Sequence, residues 1–415
     1  MTGGAKPTHG PSGDGATSIG ATPGESLFTG PFRWLLLLSL LGFGGETIVR
    51  AVIPLMVLDR GGDAVVIGFL ASIYALPSVV FRPIVGELVD SWHHRTLLRG
   101  GALFSATVPI FLLLPGIGTM LVVRFLHGSG FAIFSVANHS LLAKLAPPHR
   151  RGEASGIFMT MSAMATVIGP GLGVALYTAT GEVVPLVVAA AVGLGAGAVT
   201  FRITVPESRA PGGAAAAQGP RPSLIERFVE RSALPGTLML ITSNSAYTLM
   251  TIFAPVYALA VGAPITALVI YYPIFGLARV VTLPFAGRIS DALGRSRTIT
   301  LGSIVAGAGL MVVMVPGMET LTIAAVAYAL AMSILNPAIS ALTIERAPAN
   351  RIGAAMATYT IGYQVANAAS GLLWGALIAL FGFPSPFVVA VGLMLITIVL
   401  SRRLAKSPGL RGAGA

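Results

Sequence analysis

The chain has 415 residues, 54% of them hydrophobic and only 10% charged, with a formal net charge of +11 and no cysteine. An ordinary soluble domain carries about 25% charged residues, so this composition excludes a water-soluble globule and makes lipid the solvent. The missing thiols exclude structural disulfides, thiolate metal sites and cysteine nucleophiles.

Residues 1–30 are rich in Gly, Pro, Ser and Thr, lack an apolar run, and predict a disordered cytoplasmic tail. No signal peptide is visible, because the first apolar segment is too long for one and no small-residue cleavage site follows it. Stretches of about 20 apolar residues, enough to cross roughly 30 Å of hydrocarbon, then recur to the end of the chain. They fall near 33–58, 64–86, 97–115, 119–143, 154–179 and 183–203, and again near 233–261, 265–287, 298–316, 320–343, 352–380 and 384–401. The expected fold is all-α and integral to the membrane, with twelve transmembrane helices. Its parts are a six-helix bundle over 31–203, a cytoplasmic linker over 204–232, a second six-helix bundle over 233–403 and a cytoplasmic tail over 404–415.

The linker opens on Pro, Gly and an Ala run. Toward its end, Ser223 and Glu226 have capping-box spacing, while Leu224, Ile225, Phe228 and Val229 share a helical face. That pattern predicts a short interfacial helix over 222–231. Basic residues follow topology and form no patch interleaved with aromatics, which argues against nucleic acid. They gather in alternate connections, among them Arg95 and Arg99, Arg150 and Arg151, the linker arginines, Arg295 and Arg297, and Arg402 and Arg403, whereas the intervening loops hold Arg60 alone. The positive-inside rule therefore puts both termini in the cytoplasm, and the expected location of this multi-pass protein is a bacterial plasma (inner) membrane.

Two motifs repeat in one register. Pro83-x-x-Gly86-x-Leu88-x-Asp90 recurs 201 residues later as Pro284-x-x-Gly287-x-Ile289-x-Asp291. Ala146-Pro147-x-x-Arg150-x-Gly152-x-Ala154 recurs at the same offset as Ala347-Pro348-x-x-Arg351-x-Gly353-x-Ala355. Gly287-Arg288-Ile289-Ser290-Asp291-Ala292-Leu293-Gly294-Arg295 and its first-half counterpart resemble the signature of the major facilitator superfamily, although His93 stands where that signature usually has Gly. Arg124-x-x-x-Gly128-x-Gly130-x-Ala132 is similar to a pattern of the proton-coupled members. Gly169-Pro170-Gly171-Leu172-Gly173 resembles the antiporter pattern, with Ala165 and Val174 replacing two of its glycines. The resemblance implies twelve-helix proton-coupled efflux by alternating access. Within it, Gly86, Asp90, Arg95, Gly287, Asp291 and Arg295 are expected to form a latch that closes the cytoplasmic side in one state.

Deep charges are few. Glu46 is the one acidic residue far inside a span, and Arg50 follows it at i+4, so either a fixed ion pair or a proton-coupling carboxylate is expected there. The resemblance gives Arg124 the role of tuning Glu46. Arg279 has no acid at comparable depth in its own half, which suggests an anionic substrate group or Glu46 across the cavity. Arg82, His127, His139 and Asn138 read as structural. Asn244, Tyr247, Tyr359, Tyr363, Gln364 and Asn367 are the expected lining of a substrate cavity between the first, fourth, seventh and eleventh spans.

Sequence alone thus points to a monomeric proton-coupled exporter of small organic molecules, working in a lipid bilayer without cofactor or metal. The alternatives are proton-coupled uptake of a nutrient or organic anion, and a sensor or lipid-handling protein on the same fold. No GxSxG, HExxH or phosphate-binding loop supports an enzyme.

Overall fold

The computed structural model describes residues 27–91, 94–147, 150–203, 230–348 and 351–406. Nearly all of them are helical, and a helix stands on every apolar stretch of the sequence. The first half holds α1 (Gly30–Asp59), α2 (Ala64–Ser91), α3 (His94–Thr107), α4 (Ile117–Leu145), α5 (Arg151–Thr180) and α6 (Val183–Val199). The second holds α7 (Leu234–Thr248), α8 (Ala254–Ala260), α9 (Ala267–Leu293), α10 (Arg295–Val312), α11 (Met318–Arg346), α12 (Ile352–Phe381) and α13 (Pro384–Lys406). Among the described residues, nine stretches are long and apolar enough to cross a membrane.

Three segments depart from simple spans for identifiable reasons. The stretch expected over 97–115 ends as a 3₁₀ turn over Val108–Leu113, where Pro109 removes a backbone donor. The stretch over 233–261 is α7 and α8 joined by a π-helical turn, Leu249–Phe253. Pro255 cannot donate to the Thr251 carbonyl, and Tyr272 Oη donates to it instead at 3.1 Å, while Tyr271 Oη donates to the Met250 carbonyl at 2.6 Å. The third departure is the signature motif: Gly287 to Leu293 continue α9, and only Gly294, at φ 82°, turns the chain.

The interfacial helix expected over 222–231 lies outside the described residues except at its end. There Glu230 is extended and its carboxylate accepts from Ser232 N at 3.2 Å, so Arg231 opens a short 3₁₀ turn and does not continue a helix. The expected tail over 1–30 also lies outside them up to residue 26.

Each half packs by the same scheme. The first helix of the half lies on the fifth and sixth, the second on the fourth, and the third on the fourth and sixth; α7 on α12 and α13, α9 on α11, and α10 on α11 and α13 repeat the pattern. The halves meet chiefly along two helix pairs, α2 with α12 and α5 with α9, which exchange under the repeat. Both seams need glycine. A Cβ on Gly68 would lie 2.2 Å from the Gly371 carbonyl oxygen, and one on Gly171 would lie 3.0 Å from the Pro273 ring. These contacts sit in the part of the bundle nearer the 60–63 and 382–383 turns, called here the distal end. At the opposite end a Cβ on Gly287 would meet nothing within 4 Å, so the motif glycine makes no close approach in this conformation.

Candidate functional site

α1 carries its apolar residues through three glycines to Glu46, which is 3% exposed at the middle of the helix. One turn on, Arg50 Nε and Nη2 both donate to Glu46 Oε1, at 2.9 and 2.7 Å. The fixed pair is therefore present, and it separates two spaces. Glu46 lines a small cavity inside the first bundle with Gly45, Ser105, Ala106, His127 and Gly193. Arg50 lines a pocket between the halves with Thr47, Thr166, Pro170, Tyr247, Thr251, Tyr272 and Phe275. Its Nη1 has no hydrogen-bond partner among the described residues.

Arg124 makes no ion pair with Glu46. Its Nη1 contacts His127 Nδ1 at 3.1 Å, its guanidinium carbon lies 4.0 Å from the centre of the Tyr74 ring, and its Nε is buried without a partner. Since a guanidinium only donates, His127 Nδ1 accepts, which keeps this imidazole neutral with its proton on Nε2. The Tyr74 hydroxyl is buried without a hydrogen-bond partner of standard geometry, in the electrostatic neighbourhood of Glu46, Arg50 and Arg124. Tyr74 thus stands between the carboxylate and the cation that the sequence reading pairs with it. Arg82 donates to Ser135 Oγ at 3.3 Å, His139 Nδ1 contacts the Ser135 carbonyl at 2.7 Å, and Asn138 donates to Ser39 Oγ at 3.0 Å.

In the second half, Arg279 Nη1 donates to Tyr247 Oη at 3.2 Å, with the guanidinium 5.2 Å from that ring's centre. Among the described residues it has no acidic partner, and Glu46 does not reach it across the cavity. Tyr363 lies in the electrostatic neighbourhood of Tyr247, Arg279 and Arg50. Asn244 Nδ2 donates to Asn367 Oδ1 at 3.3 Å. Arg50, Tyr247, Arg279 and Tyr363 therefore gather about the space between the halves, and α7 and α12 carry the Asn244–Asn367 pair. Tyr359 turns away and donates to the Asn336 carbonyl at 3.3 Å, and half-buried Gln364 has no hydrogen-bond partner among the described residues.

The sequence reading missed Tyr272, Phe275, Thr251 and Tyr74. The first three line the pocket because the π turn faces α9, and Pro255 was the available signal for that turn. Tyr74 had none, being one aromatic in an apolar span.

Of the expected latch residues, Gly86 and Asp90 stand near the end of α2, and Arg95 stands in the first turn of α3. Arg295 Nη1 donates to Asp291 Oδ1 at 2.5 Å and to Ser290 Oγ at 2.9 Å, while its Nε donates to Glu345 Oε1 at 2.9 Å. This network ties α9, α10 and α11 within one half. Among the described residues no group of His, Asp and Glu is arranged to hold a metal ion.

The family model of the Major Facilitator Superfamily matches residues 35–282 and 271–413. Over 235 residues the chain is 23% identical to the staphylopine export protein of Staphylococcus aureus, covering 56% of this chain and 59% of that protein. It is 24% identical over 139 residues to the quinolone resistance protein NorA of the same organism, covering 33% and 35%. The matched regions span less than two thirds of these relatives. The bacterial homolog of the human lysosomal transporter Spinster, solved in an inward-facing and occupied conformation, superposes with a TM-score of 0.74 at 13% identity, over 91% of this chain and 96% of that one. At that identity the likeness shows the fold.

Proposed function

The chain belongs to the Major Facilitator Superfamily and is a multi-pass membrane transporter, not an enzyme, and from that premise we propose that it exports small organic molecules from a bacterial cell in exchange for protons. In this reading its twelve helices span the plasma membrane with both termini cytoplasmic, and the distal end faces outward. The closed glycine seams at that end, with no close approach at Gly287, correspond to an inward-facing state of an alternating-access cycle. A monomer suffices, since the pocket lies between two halves of one chain.

The observation that carries the coupling is the Glu46–Arg50 pair on the wall between the two spaces. A carboxylate at bilayer depth is costly, at least about 2.5–3.5 kcal/mol on insertion scales, and is tolerated because Arg50 neutralises it. Protonation of Glu46 would remove the partner that holds Arg50, and Arg50 faces the pocket between the halves. One proton on one carboxylate thus alters the charge and freedom of a pocket-lining cation, which is a requirement for linking proton and substrate movement. The relation to the staphylopine export protein and the quinolone resistance protein supports the outward direction.

A second reading, proton-coupled uptake of an organic anion, is favoured by Arg279, which has no acid beside it. One experiment separates the two. Purified protein is reconstituted into vesicles with an imposed proton gradient, and lumenal pH is followed as candidate cargo is added, for wild type and Glu46→Gln. Export predicts proton movement opposite to cargo movement in wild type and none in the variant. Movement in the same direction favours uptake. Cargo movement without protons, or normal coupling in the variant, overturns the role of Glu46.

A further inference from the structure

We propose that the cargo is a small organic anion, its carboxylate held by Arg50 and Arg279 about the Tyr247 hydroxyl and its body packed against Tyr272 and Phe275. This rests on the pocket between the halves being the transport site, and it holds for either direction of transport.

The argument is an inventory of unused hydrogen-bonding capacity. Arg50 gives Nε and Nη2 to Glu46 and keeps Nη1. Arg279 gives Nη1 to Tyr247 and keeps Nε and Nη2. Tyr247 Oη accepts from Arg279, so its own proton is available to a ligand. The hydroxyls of Thr47 and Thr251 are spent on backbone carbonyls, at 3.0 Å to Ala165 and 2.8 Å to Tyr247. The lining therefore offers the Arg50 Nη1 and Tyr247 hydroxyl donors, with Arg279 bonded to Tyr247 beside it, while the threonine oxygens, their protons spent, can only accept.

Charge agrees with this inventory. Among the described residues Arg50, Arg124 and Arg279 lie deep in the bundle against Glu46 alone, and Glu46 also lines the cavity inside the first bundle. A cationic cargo in the pocket would meet the Arg50 guanidinium, with that of Arg279 beside Tyr247, and no carboxylate among the lining residues. An anion completes the charge balance and receives forked donors, which suit a planar carboxylate better than a lysine ammonium does. Tyr272 and Phe275, 4% and 3% exposed, offer aromatic surface for a flat or apolar body.

The test is binding to the purified full-length chain in detergent, read by thermal shift and equilibrium dialysis. The probes are hippurate, which joins a benzene ring to a carboxylate, its uncharged amide hippuramide, and the cationic dye ethidium. Salicylate and citrate are added as further carboxylates. The expected order is hippurate over hippuramide by about tenfold or more, with a similar loss for hippurate in Arg279→Gln, because hydrogen bonds to charged groups contribute about 1.5–3 kcal/mol, which corresponds to that factor. Arg279→Lys should recover part of the affinity, since it keeps the charge and loses the fork. Each variant must elute as wild type on size exclusion, and the Arg279 pair of variants decides. Equal binding of hippurate and hippuramide, ethidium binding to wild type more tightly than hippurate, or a panel in which no carboxylate binds would each overturn the proposal. Reconstitution keeps the two readings apart. Ethidium carried under a proton gradient without competition from hippurate leaves the transporter reading standing and removes this one. Arginine-dependent hippurate binding with no cargo movement under any gradient does the reverse.

Discussion

Gly68→Ala tests the distal seam. The added Cβ would sit 2.2 Å from the Gly371 carbonyl oxygen, 3.0 Å from its carbonyl carbon and 3.3 Å from Gly375 Cα, all backbone atoms that no rotamer change can move aside. Restoring an ordinary contact of 3.4 Å to that oxygen requires the α2 and α12 backbones to part by about 1.2 Å, the difference between those two distances. Overpacking of this kind costs about 1–3 kcal/mol. In an alternating-access cycle the seam exists only while the distal end is closed, so the whole penalty falls on that state. The closed-to-open ratio should drop by about 5- to 150-fold, at 1.4 kcal/mol per factor of ten. Because the chain has no native cysteine, a reporter such as Thr251→Cys in the pocket can be labelled without background by a membrane-impermeant maleimide applied to intact cells. The doubly substituted protein should label faster than the reporter alone, by up to that factor while the open state remains the minor one. Unchanged or slower labelling, with normal protein abundance, would refute the argument that this seam closes the distal path.

Two further outcomes follow from the pairings described above. Arg50→Leu leaves Glu46 as an unpaired buried carboxylate and should destabilise the chain by about 3–5 kcal/mol at neutral pH. Adding Glu46→Gln should restore much of that stability, and thermal melts in detergent at neutral pH measure both. Tyr272→Phe removes the hydroxyl that stands in for the donor missing at Pro255, leaving the Thr251 carbonyl unsatisfied at a cost of about 0.6–3 kcal/mol, the low end being typical of membrane interiors. The melting temperature should fall, and a melting temperature equal to wild type would count against this role for the hydroxyl.

The fold was legible because the bilayer imposes a simple code. Length and apolarity mark each helix, and the 201-residue register of the Pro83 and Pro284 motifs reveals the repeat before any coordinates do. What the code omits is how a helix behaves within its apolar stretch. The π turn at Leu249–Phe253 and the 3₁₀ turn at Val108–Leu113 are compositionally no different from their flanks, and only Pro255 and Pro109 hint at them. The extension of α9 through Asp291 was hidden for the opposite reason, since polar residues beyond the span resemble a loop while the backbone continues as a helix.

The site was legible as a set of residue types more than as a set of pairings. Rarity made Glu46, Arg50, Arg124 and Arg279 conspicuous, because a charge at bilayer depth needs a compensating contact. Which contact it finds depends on helix rotation, which spacing fixes only within one helix. The i+4 separation of Glu46 and Arg50 therefore gave a neighbour that the structure pairs. Between helices the sequence is silent: Tyr74 comes from α2 to cover Arg124, and Tyr247 comes from α7 to occupy Arg279. Both aromatic partners do for a cation what a carboxylate would otherwise do, through ring face and hydroxyl, without adding negative charge. That substitution leaves the described interior of the bundle with more positive than negative charge, and with Arg50 on the pocket wall and Arg279 beside Tyr247 the excess lies where the proposed anionic cargo would bind.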